Sequence, residues 1–370
     1  MYVHVPFCVS KCLYCDFYSV VSGDFETYFS YLERELELYH DVLADSKVVT
    51  LYFGGGTPSL VPTLFLEKVV RKLQTLAVGF DPIEITIELN PETVTREKLR
   101  EYKLLGVNRV SLGVQAVDDE VLKGVGRIYD RKTLEKSAAC TLELFENVNF
   151  DFILGLPNET HETVEKDTLF LDRYPPKHVS LYLLEVDEKA PLFKCLESGN
   201  LSLPSTEEVE ERHSRFVIFL REKGYVRYEI SNFAVEGWES LHNLRYWRNE
   251  DYLGFGPSAG GHVGRVRYVN VSDLKTYYVL LDAGRKPYEY FHENTEREEE
   301  LETVFMGLRT KEGVPFEKLK SIGGIVEKIL QEFQCCLKVK NGKIFLNERG
   351  MDLSRFIFER LVELLEEDER

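Results

Sequence analysis

The stretch VVTLYFGGGTPS at residues 48–59 decides the fold. Six residues of strand character run straight into three glycines, and helical periodicity such as DFETYFSYLERELELYHDVL (24–43) lies beside them. A short apolar strand that ends in a glycine turn and alternates with amphipathic helices is one βα unit. The same pattern recurs outward from it, in YVHVP (2–6), IEITIEL (83–89), RVSLGV (109–114), VNFDFIL (148–154) and HVSLYLLEV (178–186). Strand and helix in alternation build a parallel sheet. A closed (β/α)8 barrel takes about 250 residues and eight strands. Six strands within residues 2–186 therefore predict an α/β fold, an incomplete (β/α)6 barrel with an open side wide enough for a bulky substrate. Parallel α/β folds place their ligands at the carboxyl ends of the strands.

Composition narrows the class of function. The chain has 370 residues, 44% of them hydrophobic, enough for one large α/β domain and a smaller appendage. Its 63 Asp and Glu outnumber 46 Lys and Arg for a formal charge of -17, which repels polyanions and argues against nucleic acid as a partner. The sequence shows no transmembrane segment, and its start reads as a strand rather than a secretory signal, so a cytoplasmic location is expected. The barrel is expected to occupy residues 1–234. A polar, aromatic segment, 235–290, connects it to a C-terminal unit, 291–370, in which helices and a hairpin turning at Asn341-Gly342 read as a winged-helix-like module.

Chemistry is concentrated after the first strand, in PFCVSKCLYCDF, where Cys8, Cys12 and Cys15 follow C-x3-C-x2-C spacing. Thiolates at that spacing wrap three corners of an iron-sulfur cubane and leave its fourth iron open. A Cys3His zinc site with His4 is the competing reading. Cys140, Cys195, Cys335 and Cys336 read as ordinary reduced thiols. Gly54, Gly55, Gly56 and Thr57 allow close backbone approach to a ligand, offering N–H and C=O groups, or form a tight turn and nothing more. Glu88, at the next strand end, suits a pair of ribose hydroxyls or a solvated edge.

These residues carry a resemblance. Cys8, Cys12 and Cys15 with Tyr14 before the last cysteine, then GGGTP, Glu88, SLGVQ and FDFILGLP, resemble the radical SAM superfamily, in the subgroup of oxygen-independent coproporphyrinogen III oxidase, over nearly the whole chain. The resemblance implies a 4Fe-4S cluster on the three cysteines with S-adenosyl-L-methionine on its open iron. It implies Tyr2 beside the cofactor, Gly55, Gly56 and Thr57 at its amino-acid part, Glu88 at the ribose, and Gln115, Arg127 and Asp151 completing the pocket. Arg127 suits a carboxylate because a guanidinium pairs with one in bidentate fashion.

Two departures choose the branch. The oxidase has a further cysteine where this chain has Phe17, and it carries a long N-terminal extension where only seven residues precede Cys8 here. Both count against coproporphyrinogen oxidation. The block HNLRYW, with His242, Asn243, Tyr246 and Trp247, is similar to the HNxxYW motif of HemW-type haem chaperones. An imidazole can ligate haem iron axially, and Arg245 or Arg248 can pair with propionates, although a histidine among aromatics is more often a packed core residue. The resemblance implies haem binding and delivery to apo-haemoprotein recipients such as membrane-bound respiratory enzymes, with transient membrane contact. GFGPSAGGH (254–262) is not a dinucleotide fingerprint, since no βαβ unit surrounds it.

Overall fold

A computed structural model describes residues 1–21 and 23–368. Six parallel strands form the frame: β1 (Tyr2–Val5), β2 (Lys47–Gly55), β3 (Gly79–Leu89), β4 (Arg109–Gln115), β5 (Asn147–Leu154) and β6 (His178–Leu183). They lie side by side in chain order, and the sheet does not close on itself. This is the incomplete α/β barrel expected from the pattern. The sheet is wider than six strands, however. Gly254–Phe255 adds in parallel beyond β1, while Asn232–Ala234 adds antiparallel beyond β6 and is itself paired with Val226–Arg227. Short strands of this kind satisfy edges that would otherwise expose unpaired N–H and C=O groups.

The strands alternate by side chain, and the two faces differ in chemistry. Val3 and Val5, Leu51 and Phe53, Ile85 and Ile87, Val110 and Leu112, Val148 and Phe150, and Val179 and Leu181 are buried in the apolar core. The intervening residues, Thr50, Thr86, Arg109, Ser111, Asn149, His178 and Ser180, are also buried but polar. They bond to one another across the interior: Asn149 Nδ2 donates to Ser111 Oγ at 2.7 Å and to Ser180 Oγ at 2.9 Å, and Asn149 Oδ1 lies 2.6 Å from His178 Nδ1. The lumen is thus a hydrogen-bonded polar network, where most barrels fill this space with branched apolar residues.

Residues 235–290 are built into this unit, with Leu253, Phe255, Tyr268, Tyr277 and Leu281 sharing the main core. A second core gathers residues from Val304 to Leu364. Around it stand helices Glu296–Gly307, Gly323–Glu332 and Ser354–Asp368 and a three-stranded sheet whose hairpin turns at Asn341 and Gly342, both with positive φ.

Candidate functional site

The cysteine loop leaves β1 at the carboxyl edge of the sheet. Phe7–Cys8 pairs with Val20–Val21, Leu13 N–H donates to Val125 O at 3.0 Å, and Leu192 N–H donates to Leu13 O at 2.8 Å. Backbone bonds therefore hold the loop from both sides, independent of its sulfurs. The three thiols are free and half-buried. Burial, with repulsion from the neighbouring thiols, pushes Cys12 up and Cys15 up to about 11. His4 does not join them. Its Nδ1 lies 3.0 Å from Tyr2 Oη and its Nε2 2.9 Å from Tyr18 O, and burial lowers it to about 4, so it is neutral and fully engaged. A single tetrahedral ion with Zn–S bonds of about 2.3 Å draws its sulfurs to about 3.8 Å. Among the described residues the three sulfurs do not gather within 4.8 Å of one another. The donor set, three soft sulfurs spread around a loop, fits a polynuclear cluster better than one zinc ion.

From the loop a hydrogen-bonded chain runs across the strand ends. Thr57 Oγ1 donates to Cys8 Sγ at 3.5 Å, Asn90 Nδ2 donates to Thr57 Oγ1 at 3.0 Å, Arg127 Nη1 donates to Asn90 Oδ1 at 3.1 Å, and Arg127 Nη2 donates to Tyr14 Oη at 2.6 Å. Tyr14 lies between Cys12 and Cys15, so the chain begins and ends on the cysteine loop. Beside it, Gly113 leaves a cradle. A Cβ there would meet Gln115 Nε2 at 2.7 Å, Asn90 Oδ1 at 3.3 Å and Arg127 Nη2 at 3.6 Å. Gln115 has φ 60°, a left-handed conformation that typically costs 1–3 kcal/mol in a non-glycine residue and clusters at binding sites. Tyr129 Oη clamps this bulge, donating to Gly113 O and Val114 O.

The glycine run is packed differently from the expectation that it offers N–H groups to a ligand. Gly55 N–H donates to Glu88 Oε2 at 3.1 Å, and Gly56 N–H donates to Val5 O at 2.8 Å. Added Cβ atoms would meet Glu88 Oε1 at Gly54, the His4 ring at Gly55, and Val5 and Phe7 backbone at Gly56. Gly55 and Gly56 let β2 approach β1, and their N–H groups are used within the protein. Glu88 also accepts from Tyr52 Oη at 2.8 Å, and burial raises it to about 7. Tyr2 stands next to Tyr52 in the lumen. Asp151 accepts from Ser111 Oγ and Asn149 Nδ2, both at 2.8 Å, and burial raises its carboxyl. Tyr2, Glu88, Gln115, Arg127 and Asp151 thus share the strand ends and lumen with the thiols.

His242 does not. Helix Leu241–Trp247 sits at the opposite, amino end of the strands, where Glu84 accepts from the backbone N–H of Leu241 and His242, each at 3.0 Å. His242 is 1% exposed. Its Nδ1 lies 2.8 Å from Thr50 Oγ1, its Nε2 2.7 Å from Tyr246 Oη, and its ring stacks on Tyr52. Neither nitrogen is free for iron. Arg245 pairs with Glu250, Arg248 with Glu312, and Trp247 stacks under Arg309. In this structure His242, Arg245 and Arg248 are all engaged by protein partners, so an axial-ligand or propionate-binding role would require them to exchange those partners. The block packs into the barrel's amino end, held there by Glu84 and Thr50.

Two residues at the heart of this arrangement escaped the sequence reading. Asn90 continues the period-two face of Glu84, Thr86 and Glu88. Arg109 is 1% exposed in the lumen, and its Nε has no hydrogen-bond partner among the described residues. Polar residues at every second position of otherwise apolar strands were the available signal.

The profile of the radical SAM superfamily matches residues 2–171. The chain is 33% identical to "Heme chaperone HemW" of Bacillus subtilis, covering 96% of this chain and 97% of that one. To the protein of the same name in Lactococcus lactis it is 32% identical, covering 98% and 96%. The solved structure of coproporphyrinogen III oxidase (HemN) from Escherichia coli superposes with a TM-score of 0.84 at 23% identity, covering 97% of this chain and 89% of that one, a likeness of fold.

Proposed function

The chain belongs to the HemW-type branch of the radical SAM superfamily, and from that premise we propose that it is a haem chaperone, binding haem and passing it to apo-haemoproteins. The observation that carries this reading is that likeness to curated haem chaperones spans 96% of the chain, not the barrel alone. A shared barrel by itself would leave the chemistry open. Phe17, 64% exposed beside the cysteine loop, adds to it: the loop presents an apolar ring where the oxidase has a further cysteine. Val9 and Val21 near it, and Leu183 at the end of β6, are exposed at the same carboxyl edge and offer apolar surface to a porphyrin face.

In this reading Cys8, Cys12 and Cys15 hold the 4Fe-4S cluster. When bound, the cluster supplies an iron with an open position and an electron for the sulfonium of S-adenosylmethionine. Arg127, already aimed into the Gly113 cradle, takes the carboxylate, and Glu88 takes the ribose hydroxyls with the lone pairs that Tyr52 and Gly55 leave. Thr57 and the glycine carbonyls flank the amino-acid part, with Tyr2, Gln115 and Asp151 around the rest. Among the described residues no helix is long and apolar enough to cross a membrane. The proposal places the protein in the cytoplasm, in transient contact with membrane-bound recipients.

Anaerobic titration of the cluster-reconstituted protein with haem, with and without S-adenosylmethionine, tests the function. A saturable Soret band and no conversion of coproporphyrinogen III are expected. Formation of protoporphyrinogen would replace the chaperone by an oxidase. Arg127→Met is expected to weaken S-adenosylmethionine binding by about 10- to 100-fold, the worth of charge-assisted hydrogen bonds, with iron content unchanged. Equilibrium dialysis measures it, with the surface variant Arg96→Met as control. An unchanged affinity would remove Arg127 from the pocket.

A further inference from the structure

His262 lies on the strand Gly260–Val263, fixed by paired backbone bonds to Tyr252 at 2.7 and 2.9 Å. It is 1% exposed, and neither ring nitrogen has a hydrogen-bond partner among the described residues. The ring points at helix Glu296–Gly307, where Glu299 and Glu302 sit one turn apart. One ligand atom from each of His262, Glu299 and Glu302 falls within 4.8 Å of the others. His262 Nε2 lies 3.3 Å from Glu299 Oε1, in a contact not aligned as a hydrogen bond.

The carboxylates are themselves held. Glu299 accepts from Asn249 Nδ2 at 2.7 Å and from Asn294 Nδ2 at 3.1 Å, and Glu302 Oε2 accepts from Arg267 Nε at 2.8 Å. Outer partners of this kind orient metal-ligating carboxylates. Two carboxylates face the single guanidinium of Arg267, an excess of acidic over basic side chains beside the imidazole.

We propose that His262, Glu299 and Glu302 bind a first-row divalent cation, zinc foremost, that clasps the C-terminal helical unit to the barrel. The proposal stands independently of the haem reading. One imidazole nitrogen and two carboxylate oxygens suit Zn2+, Mn2+ or Fe2+, whereas Mg2+ and Ca2+ favour all-oxygen shells. Three protein ligands leave room for water. The second ring nitrogen of His262 lacks an outer partner, which lowers the expected affinity about 10- to 100-fold relative to a fully supported site.

The clasp joins helix Glu296–Gly307 to the strand at 260–263 and, through Asn249, to the turn just after the amino-end plug. At a hundredfold excess over Kd, zinc is expected to raise the thermal midpoint by about 3 °C in a chain of this length.

The test uses the cluster-loaded full chain, whose three loop cysteines are already occupied by iron. Equilibrium dialysis against micromolar zinc with metal analysis should find one zinc per chain beyond the iron, together with the rise in midpoint. His262→Gln and, separately, Glu302→Ala should lose both while iron content and circular dichroism stay unchanged. The second variant keeps the test usable should the first fail to fold. Equal zinc content and midpoint shift in wild type and a folded variant overturns the proposal. So does wild type that takes up no zinc, which would leave the approach of His262 to Glu299 as a contact within the protein and nothing more.

Discussion

Changing Cys8, Cys12 or Cys15 to serine, one at a time, is expected to reduce bound iron and sulfide from a full cluster to near zero and to erase the brown chromophore, while the fold survives. The loss should be complete because a hard, weakly acidic hydroxyl cannot replace a soft thiolate, and two remaining sulfurs do not hold a cluster that already lacks a fourth protein ligand. Burial raises Cys12 and Cys15 above the usual thiol range, so both are protonated at neutral pH until iron displaces the protons. The fold should survive because the bonds that pin the loop are main-chain: Leu13 to Val125 and Leu192 to Leu13. Single changes at partly exposed thiols without packing roles stay within about 0.5 kcal/mol. Cys140→Ser and Cys195→Ser serve as controls and should keep their iron. Iron and sulfide analysis after anaerobic reconstitution decides the matter; a single-serine variant that retains a full cluster would show that the loop does not ligate as assigned.

How much of this was legible in the sequence depends on the range of the interaction. The six strands were readable because each is a local run, apolar at alternate positions and closed by a turn. Their bounds moved by a few residues, with the sixth ending at Leu183 and the third starting at Gly79. The edge strands at 226–234 and 254–255 were not readable, since two or three residues carry no periodicity and exist only because the sheet edges need partners. In the site, the cysteine loop and Glu88 announce themselves by spacing and position. The chain from Thr57 through Asn90 and Arg127 to Tyr14 does not, because it joins residues 33, 37 and 113 positions apart. The end of the barrel that a motif occupies is likewise set by topology. The composition of HNLRYW invites a haem reading, and only the backbone path shows it at the amino end, away from the thiols.

That placement makes His242→Ala the sharpest discriminator between a ligand and a plug. The substitution leaves Thr50 Oγ1 and Tyr246 Oη without their partner in a buried site and opens a void beneath Tyr52. Unsatisfied buried groups cost about 1–3 kcal/mol each, and large-to-small core changes about 2–5 kcal/mol. A destabilisation of about 3–4 kcal/mol follows, a fall of about 4–5 °C in the thermal midpoint for a chain of this length. Haem should nevertheless bind the folded variant with an unchanged Soret maximum and affinity. Burial holds the ring neutral, which is the form that ligates iron, but both nitrogens are committed and the seal would have to break to free one. Should the variant keep its midpoint and lose the Soret band, the plug must open in solution, and haem delivery would then involve unsealing the barrel at its amino end. A lowered midpoint with an intact haem spectrum instead assigns the motif to the scaffold and sends the search for the iron ligand to the carboxyl edge, beside Phe17 and the cysteine loop.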